Sequence, residues 1–120
     1  SEAFLPNVQA SKQKKIISIS STNGSLTEQL AGDGAIFYRA SKAALNRSMQ
    51  LVARKEKSDG VIVVLLHPGA VLTERQSYLE GAKGMVETSF TVRHMIETIG
   101  KLTMADTGRF LRYDGVTAPW

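Results

Sequence analysis

Residues Val61-Ile62-Val63-Val64-Leu65-Leu66 form an unbroken apolar run, and that run limits the fold more than any other stretch. A strand with water on one face alternates apolar and polar side chains. One that does not alternate is buried on both faces, as in a parallel sheet covered by helices. Ser58-Asp59-Gly60 turns the chain before the run, and His67-Pro68-Gly69 breaks it afterwards. The β-branched segment Lys15-Ile16-Ile17-Ser18-Ile19-Ser20 predicts an earlier strand, and Gly108-Arg109-Phe110-Leu111-Arg112-Tyr113 a last one. Between them the pattern predicts a long helix from Ala35 to about Lys57. A second runs from Ser89 to Thr103, with Phe90, Val92, Met95, Ile96, Ile99 and Leu102 apolar. Residues 3–11 read as the end of a helix carrying Phe4, Leu5 and Val8, with Pro6 acceptable only in a first turn or kink. Ser21–Gly34 reads as a loop, and a short helix is expected near Glu74–Leu79.

The order helix, strand, long helix, strand, helix, strand means an α/β parallel sheet with right-handed crossovers. Three strands make a thin sheet, and the first would leave an edge where further strands belong. The chain therefore reads as a single partial domain over 1–120, half of a larger fold. Its start, Ser1-Glu2-Ala3-Phe4-Leu5-Pro6, has no initiator Met and none of the basic and apolar regions of a signal peptide.

Composition removes several functions. No cysteine is present, so disulfides, thiolate zinc sites and cysteine nucleophiles are excluded, and a cytoplasmic setting is expected. No apolar run reaches the length of a membrane span. Fifteen Lys and Arg against eleven Asp and Glu give a net charge of +4. The positives are scattered apart from Lys12-Gln13-Lys14-Lys15, and no aromatic residues interleave with that cluster to stack bases, so nucleic acid is not an expected partner. No His/Asp/Glu cluster has metal-ligand spacing, so no metal is expected. His67 reads as a strand-end packing residue and His94 as a structural one.

Tyr38 and Lys42 carry the most chemistry. At i and i+4 of the long helix they lie one above the other, and an ammonium beside a phenol favours the phenolate. In open α/β sheets ligands bind beyond the carboxyl ends of the strands. The first strand ends in Ser20-Ser21-Thr22, and the second in His67-Pro68-Gly69-Ala70-Val71-Leu72-Thr73. The pair lies near the start of the intervening helix, at the same rim, so hydroxyl, phenol and ammonium can converge at one mouth.

Three motifs in this order, Ile19-Ser20-Ser21, Tyr38-Arg39-Ala40-Ser41-Lys42-Ala43-Ala44-Leu45-Asn46 and His67-Pro68-Gly69-Ala70-Val71-Leu72-Thr73, resemble the C-terminal half of a short-chain dehydrogenase/reductase. Asp106-Thr107-Gly108-Arg109-Phe110-Leu111, Asp114-Gly115 and Pro119-Trp120 look like its C-factor or carbonyl-reductase-like branch. The resemblance covers essentially the whole chain. It implies the C-terminal half of a doubly wound Rossmann-type parallel sheet, about three strands with flanking helices, whose N-terminal half is absent. It further implies hydride transfer between nicotinamide (NADP or NAD, the preference unreadable) and a small-molecule carbonyl or alcohol.

By that resemblance Tyr38 would be the general acid/base, Lys42 would lower its pKa and bind the nicotinamide ribose, and Ser21 would polarise the substrate oxygen. Pro68, Gly69 and Val71 would pack beside the nicotinamide, and Thr73 would reach its carboxamide or diphosphate. The spacing from Ser21 to Tyr38 is longer than the commonest family pattern, so Ser20 remains an alternative to Ser21, and Thr73 could equally cap a short helix. Gly32-x-Gly34 does not replace the family's Gly-rich turn, because Phe37 stands where a third Gly belongs. The chain thus carries most of the proton chemistry and little of the cofactor cradle. Two outcomes follow: an oxidoreductase inactive as this fragment alone, or a non-catalytic interaction module, with homo-oligomers formed through the helix at 35–57.

Overall fold

The computed structural model describes residues 2–27, 35–71 and 86–120. The expected short helix near 74–79, Thr73 and the Gly32-x-Gly34 segment lie outside them. A 3-10 turn, Glu2–Phe4, leads into α1 (Leu5–Ala10), with Pro6 in the first turn, where its missing N–H costs nothing. β1 (Lys15–Ile19) follows, then a 3-10 turn, Thr22–Gly24, and the long helix α2 (Ile36–Glu56). β2 (Ile62–His67), α3 (Thr88–Lys101) and β3 (Phe110–Arg112) complete the order.

The sheet is parallel throughout, in the order β1-β2-β3. β2 is the central strand, and Val61–Leu66 are all buried, as the unbroken apolar run requires. Alternate residues serve opposite faces. Val61, Val63 and Leu65 join Met49 and Ala53 of α2, Phe110 and Ala118 in one cluster. Ile62, Val64 and Leu66 join Leu102 and Leu111, with Met95 and Ile99 of α3 packed against them. Burying a Leu or Val of this kind contributes about 1.5–3 kcal/mol. β1 lies at one edge of the sheet, as expected of half a fold.

β3 is shorter than its sequence pattern at both ends, because Thr107 and Gly108 form a turn before it and Tyr113 begins the next. The ladder continues through the first turn: Gly108 N–H donates to Val63 O at 2.7 Å, and Leu65 N–H to Arg109 O at 3.1 Å. Val63 N–H is satisfied by the Thr107 hydroxyl at 3.0 Å. Thr107 therefore extends the pairing of β2 beyond the end of its neighbour, in keeping with the need to satisfy buried backbone groups.

The α3 stripe reads from sequence as core or an oligomer face, and this chain buries part of it. Met95, Ile99 and Leu102 face the sheet, but Phe90, Val92 and Ile96 are exposed, so the apolar stripe is broader than the face it buries. Phe90 instead packs on His94, with ring centroids 4.1 Å apart, and His94 Nδ1 is 2.9 Å from Phe90 O. At the other end, Lys15 Nζ donates to Ile99 O at 2.7 Å, capping the last turn of α3 with a cation.

Candidate active site at the carboxyl rim

Because β1 and β2 are parallel and α2 connects them, α2 runs back against the sheet and begins at the carboxyl rim. Ala35 precedes it in the left-handed region (φ 60°), and no side chain caps it. Tyr38 falls in its first turn and Lys42 one turn on. The Lys42 ammonium stands 5.7 Å from the centroid of the Tyr38 ring, inside the range at which a cation is drawn to an aromatic face. Tyr38 is 46% exposed, and Lys42 is half-buried. The sequence spacing has become a contact, with the phenol open to a ligand.

Ser20 and Ser21 are both buried at the end of β1. Ser20 N–H continues the ladder to Leu66 O at 2.9 Å. The Ser20 hydroxyl is consumed by a hydrogen bond to Asn46 Oδ1. Ser21 differs: its oxygen accepts from the Asn23 N–H at 3.1 Å and from Asn23 Nδ2 at 3.3 Å, capping the 3-10 turn. Among the described residues no acceptor takes the Ser21 O–H. Among the described residues no hydrogen bond joins Ser21 to Tyr38.

Gly24 fixes the distance between these groups. A Cβ there would lie 2.6 Å from the Lys42 carbonyl carbon and 2.8 Å from Ala43 N. Only a residue without a side chain lets the turn after Ser21 rest on the α2 backbone at Lys42. Ser21 is thereby tied to the helix that carries Tyr38 and Lys42. A cavity of about 170 Å³ lies beside this contact, lined by Asn23–Leu26 with Arg39, Ala40 and Ala43, a neighbouring face of α2 that holds neither Tyr38 nor Lys42.

The second rim element follows β2. Pro68 and Gly69 are half-buried, and Gly69 adopts φ +84° with the Tyr113 ring 3.1 Å from where a Cβ would stand. Val71 forms an isolated parallel bridge with Val86, and Val86 N–H donates to Ala70 O at 2.9 Å. Pro68, Gly69 and Val71 therefore sit at the exit of the central strand. Thr73 lies outside the described residues.

Three contributions come from residues to which the sequence assigned no role. Asn46 continues the stripe Tyr38, Lys42, Asn46 at intervals of four, a signal that periodicity alone could have raised; its Nδ2 is buried without a partner among the described residues. Gly24 gave no signal beyond its place in a loop. The third is the Trp120 carbonyl, which accepts from Leu26 N–H (2.9 Å), Thr27 N–H (2.8 Å), the Ser25 hydroxyl (2.7 Å) and the Thr27 hydroxyl. The Trp120 ring packs on Phe110 at 5.6 Å between centroids. The strap 113–120 thus pins the loop that follows Ser21.

A family model described as short chain dehydrogenase matches residues 1–84. The chain belongs to the short chain dehydrogenase family. It is 34% identical over 118 residues to the C-signal of Myxococcus xanthus, covering 98% of this chain and 68% of that protein. It is also 34% identical over 106 residues to the 1-hydroxy-2-glutathionyl-2-methyl-3-butene dehydrogenase of Rhodococcus sp. strain AD45, covering 88% and 46%. Among solved structures, the NADPH-bound carbonyl reductase from chicken fatty liver superposes with a TM-score of 0.90 at 34% identity, over 100% of this chain and 51% of that one. Apart from the first, the chain spans about half the length of these relatives. The C-terminal half of a Rossmann-type sheet, inferred from motif order, is therefore the fold.

Proposed function

We propose that this chain supplies the proton-transfer half of an NAD(P)-dependent oxidoreductase acting on a small-molecule carbonyl or alcohol. The observation that carries the reading is the Lys42 ammonium set against the Tyr38 ring, with Ser21 held to the same helix turn through Gly24. Tyr38 gives a proton to the substrate oxygen as hydride arrives at the carbon, or takes one in the reverse direction. Lys42 keeps its ammonium beside the Tyr38 ring and holds the nicotinamide ribose. Ser21 donates its O–H to the substrate oxygen; Ser20, committed to Asn46, does not. Pro68, Gly69, Val71 and Thr73 border the nicotinamide. The bound dinucleotide supplies the hydride. No helix among the described residues is long and apolar enough to cross a membrane. A cytoplasmic setting is part of the proposal, resting on the composition without cysteine.

The chain alone lacks a Gly-rich turn for the pyrophosphate, so we expect it to be inactive by itself. The test joins the complementary N-terminal half of a relative, such as the chicken carbonyl reductase, to this chain and titrates NADPH and NADH calorimetrically. Saturable binding by the folded chimera and none by the chain alone supports the proposal. A folded chimera that binds neither nucleotide overturns it.

A second reading, a non-catalytic interaction module, is favoured by two observations. One similar protein is named C-signal rather than an oxidoreductase, and α2 exposes Ile36, Phe37 (90% exposed) and Leu51. It predicts homo-oligomers formed through α2, which sedimentation of the chain would detect and Phe37→Glu would disperse.

A further inference from the structure

A second concave site lies at the same rim on the α2 face of the sheet. Val61, Val63 and Leu65 face α2, so the period of two places His67 on that side, and Phe110 places Arg112 there likewise. The two are paired in register at the ends of β2 and β3. Together with Thr22 beyond β1 and Val116, Thr117 and Pro119 of the strap, they line a cavity of about 260 Å³. No residue of α2 takes part, so Tyr38 and Lys42 are not involved.

The polar groups of this cavity favour negative charge. Arg112 brings an exposed guanidinium, and the one ion pair among the described residues is Arg109 with Asp106, at 2.8 Å. Arg112 is therefore not neutralised by a described carboxylate. Asp114, two residues away, accepts the Val116 N–H at 3.2 Å within its own turn. Thr117 Oγ1 accepts from Arg109 Nη2 at 2.6 Å, and a hydroxyl whose oxygen is so engaged turns its O–H outward as a donor. Thr22 adds a second hydroxyl and His67 an imidazole. Among the described residues the lining contains no carboxylate, while Val116 and Pro119 form apolar walls.

We propose that this cavity binds a small oxyanion, a carboxylate or a phosphate, with Arg112 as its principal partner and Thr117 as a hydrogen-bond donor. The planar guanidinium fork matches either group in two parallel hydrogen bonds. The volume falls below the roughly 300 Å³ at which drug-sized pockets begin, which suits a free ion or the anionic end of a larger ligand.

The test follows amide chemical shifts of the isotopically labelled chain during titration with inorganic phosphate and, separately, with acetate, each against sodium chloride at matched ionic strength. The proposal expects saturable shifts at Thr22, His67, Arg112 and Thr117 with at least one of the two, and the one that saturates identifies the anion. Arg112→Gln should weaken that affinity about tenfold, with Arg112→Lys intermediate. Thr117→Val, which keeps every charge, should weaken it about threefold. Arg93→Gln, on the exposed face of α3, should leave it unchanged, and the β2 amide pattern reports that each variant is folded. No saturable shift with either anion, equal binding by Arg112→Gln, or an equal loss in Arg93→Gln would each overturn the proposal.

Discussion

The β1 rim and the β2 rim both turn on a glycine, but for different reasons. Gly24 is required by space: its missing side chain is where the backbone of α2 passes, at Lys42 and Ala43. Gly69 is required by conformation: its φ is +84°, and the neighbour it would crowd is the edge of the Tyr113 ring, a side chain able to shift. A backbone obstacle inside a packed helix cannot yield without moving the helix. The β1 rim is therefore the rigid partner, and it holds the groups proposed to move the proton. The β2 rim is a shaped turn resting on an aromatic ring.

Substitutions that exchange these constraints test the contrast. Gly24→Ala should be the most damaging, at roughly 3 kcal/mol of stability, because overpacking against backbone has no cheap relief; chemical denaturation measures it. Asn46→Ala should cost about 2 kcal/mol by leaving the buried Ser20 hydroxyl without its acceptor. Asn46→Asp, which keeps an acceptor, should restore part of that loss in the same experiment. Gly69→Ala should cost about 1 kcal/mol, set by the left-handed backbone and not by overlap. Equal costs at Gly24 and Gly69 would remove the distinction between the two rims.

The smallest effect lies far from both rims and concerns pH. The Asp106 carboxyl is held below its ordinary value, first by the Thr103 backbone N–H and then by the Arg109 guanidinium and Thr103 hydroxyl, against the opposing effect of partial burial. A depressed carboxylate stabilises the fold above its unfolded value, and that contribution is lost as pH falls through the folded one. Asp106→Asn should therefore lower the melting temperature slightly at neutral pH and flatten its fall in acid. The cost should be about 1 kcal/mol or less at neutrality, as for a capping residue with an exposed ion pair. A mutant with the same acid dependence as the parent chain would show that Asp106 plays no such part.

Much of this architecture is legible in the residues. The run Val61–Leu66 dictates a doubly buried central strand, and the alternation of strands with helices dictates parallel pairing. The expected element boundaries fall within one or two residues of those observed for α2, β1 and β2, since apolar periodicity governs them directly. For α3 the pattern left core and oligomer face open, because an apolar stripe does not show how wide a neighbouring face is; Phe90, Val92 and Ile96 are exposed in this chain. The Tyr38–Lys42 contact follows from helical geometry alone. The different hydrogen bonding of Ser20 and Ser21 could not, because it depends on Asn46, which lies 26 positions away from Ser20. The strap was equally hidden: a carbonyl at Trp120 gathers donors from Ser25–Thr27 only after the sheet has brought the two segments together.

The central claim is that Tyr38, supported by Lys42 and Ser21, moves the proton. The most direct measurement is the rate of NADPH oxidation with a ketone or aldehyde by the chimera that completes the fold, compared between the parent and Tyr38→Phe. The account predicts that removing this one oxygen lowers turnover by about 10²–10⁴-fold while NADPH binding and melting temperature stay unchanged. A Tyr38→Phe chimera that turns over as fast as its parent would contradict it.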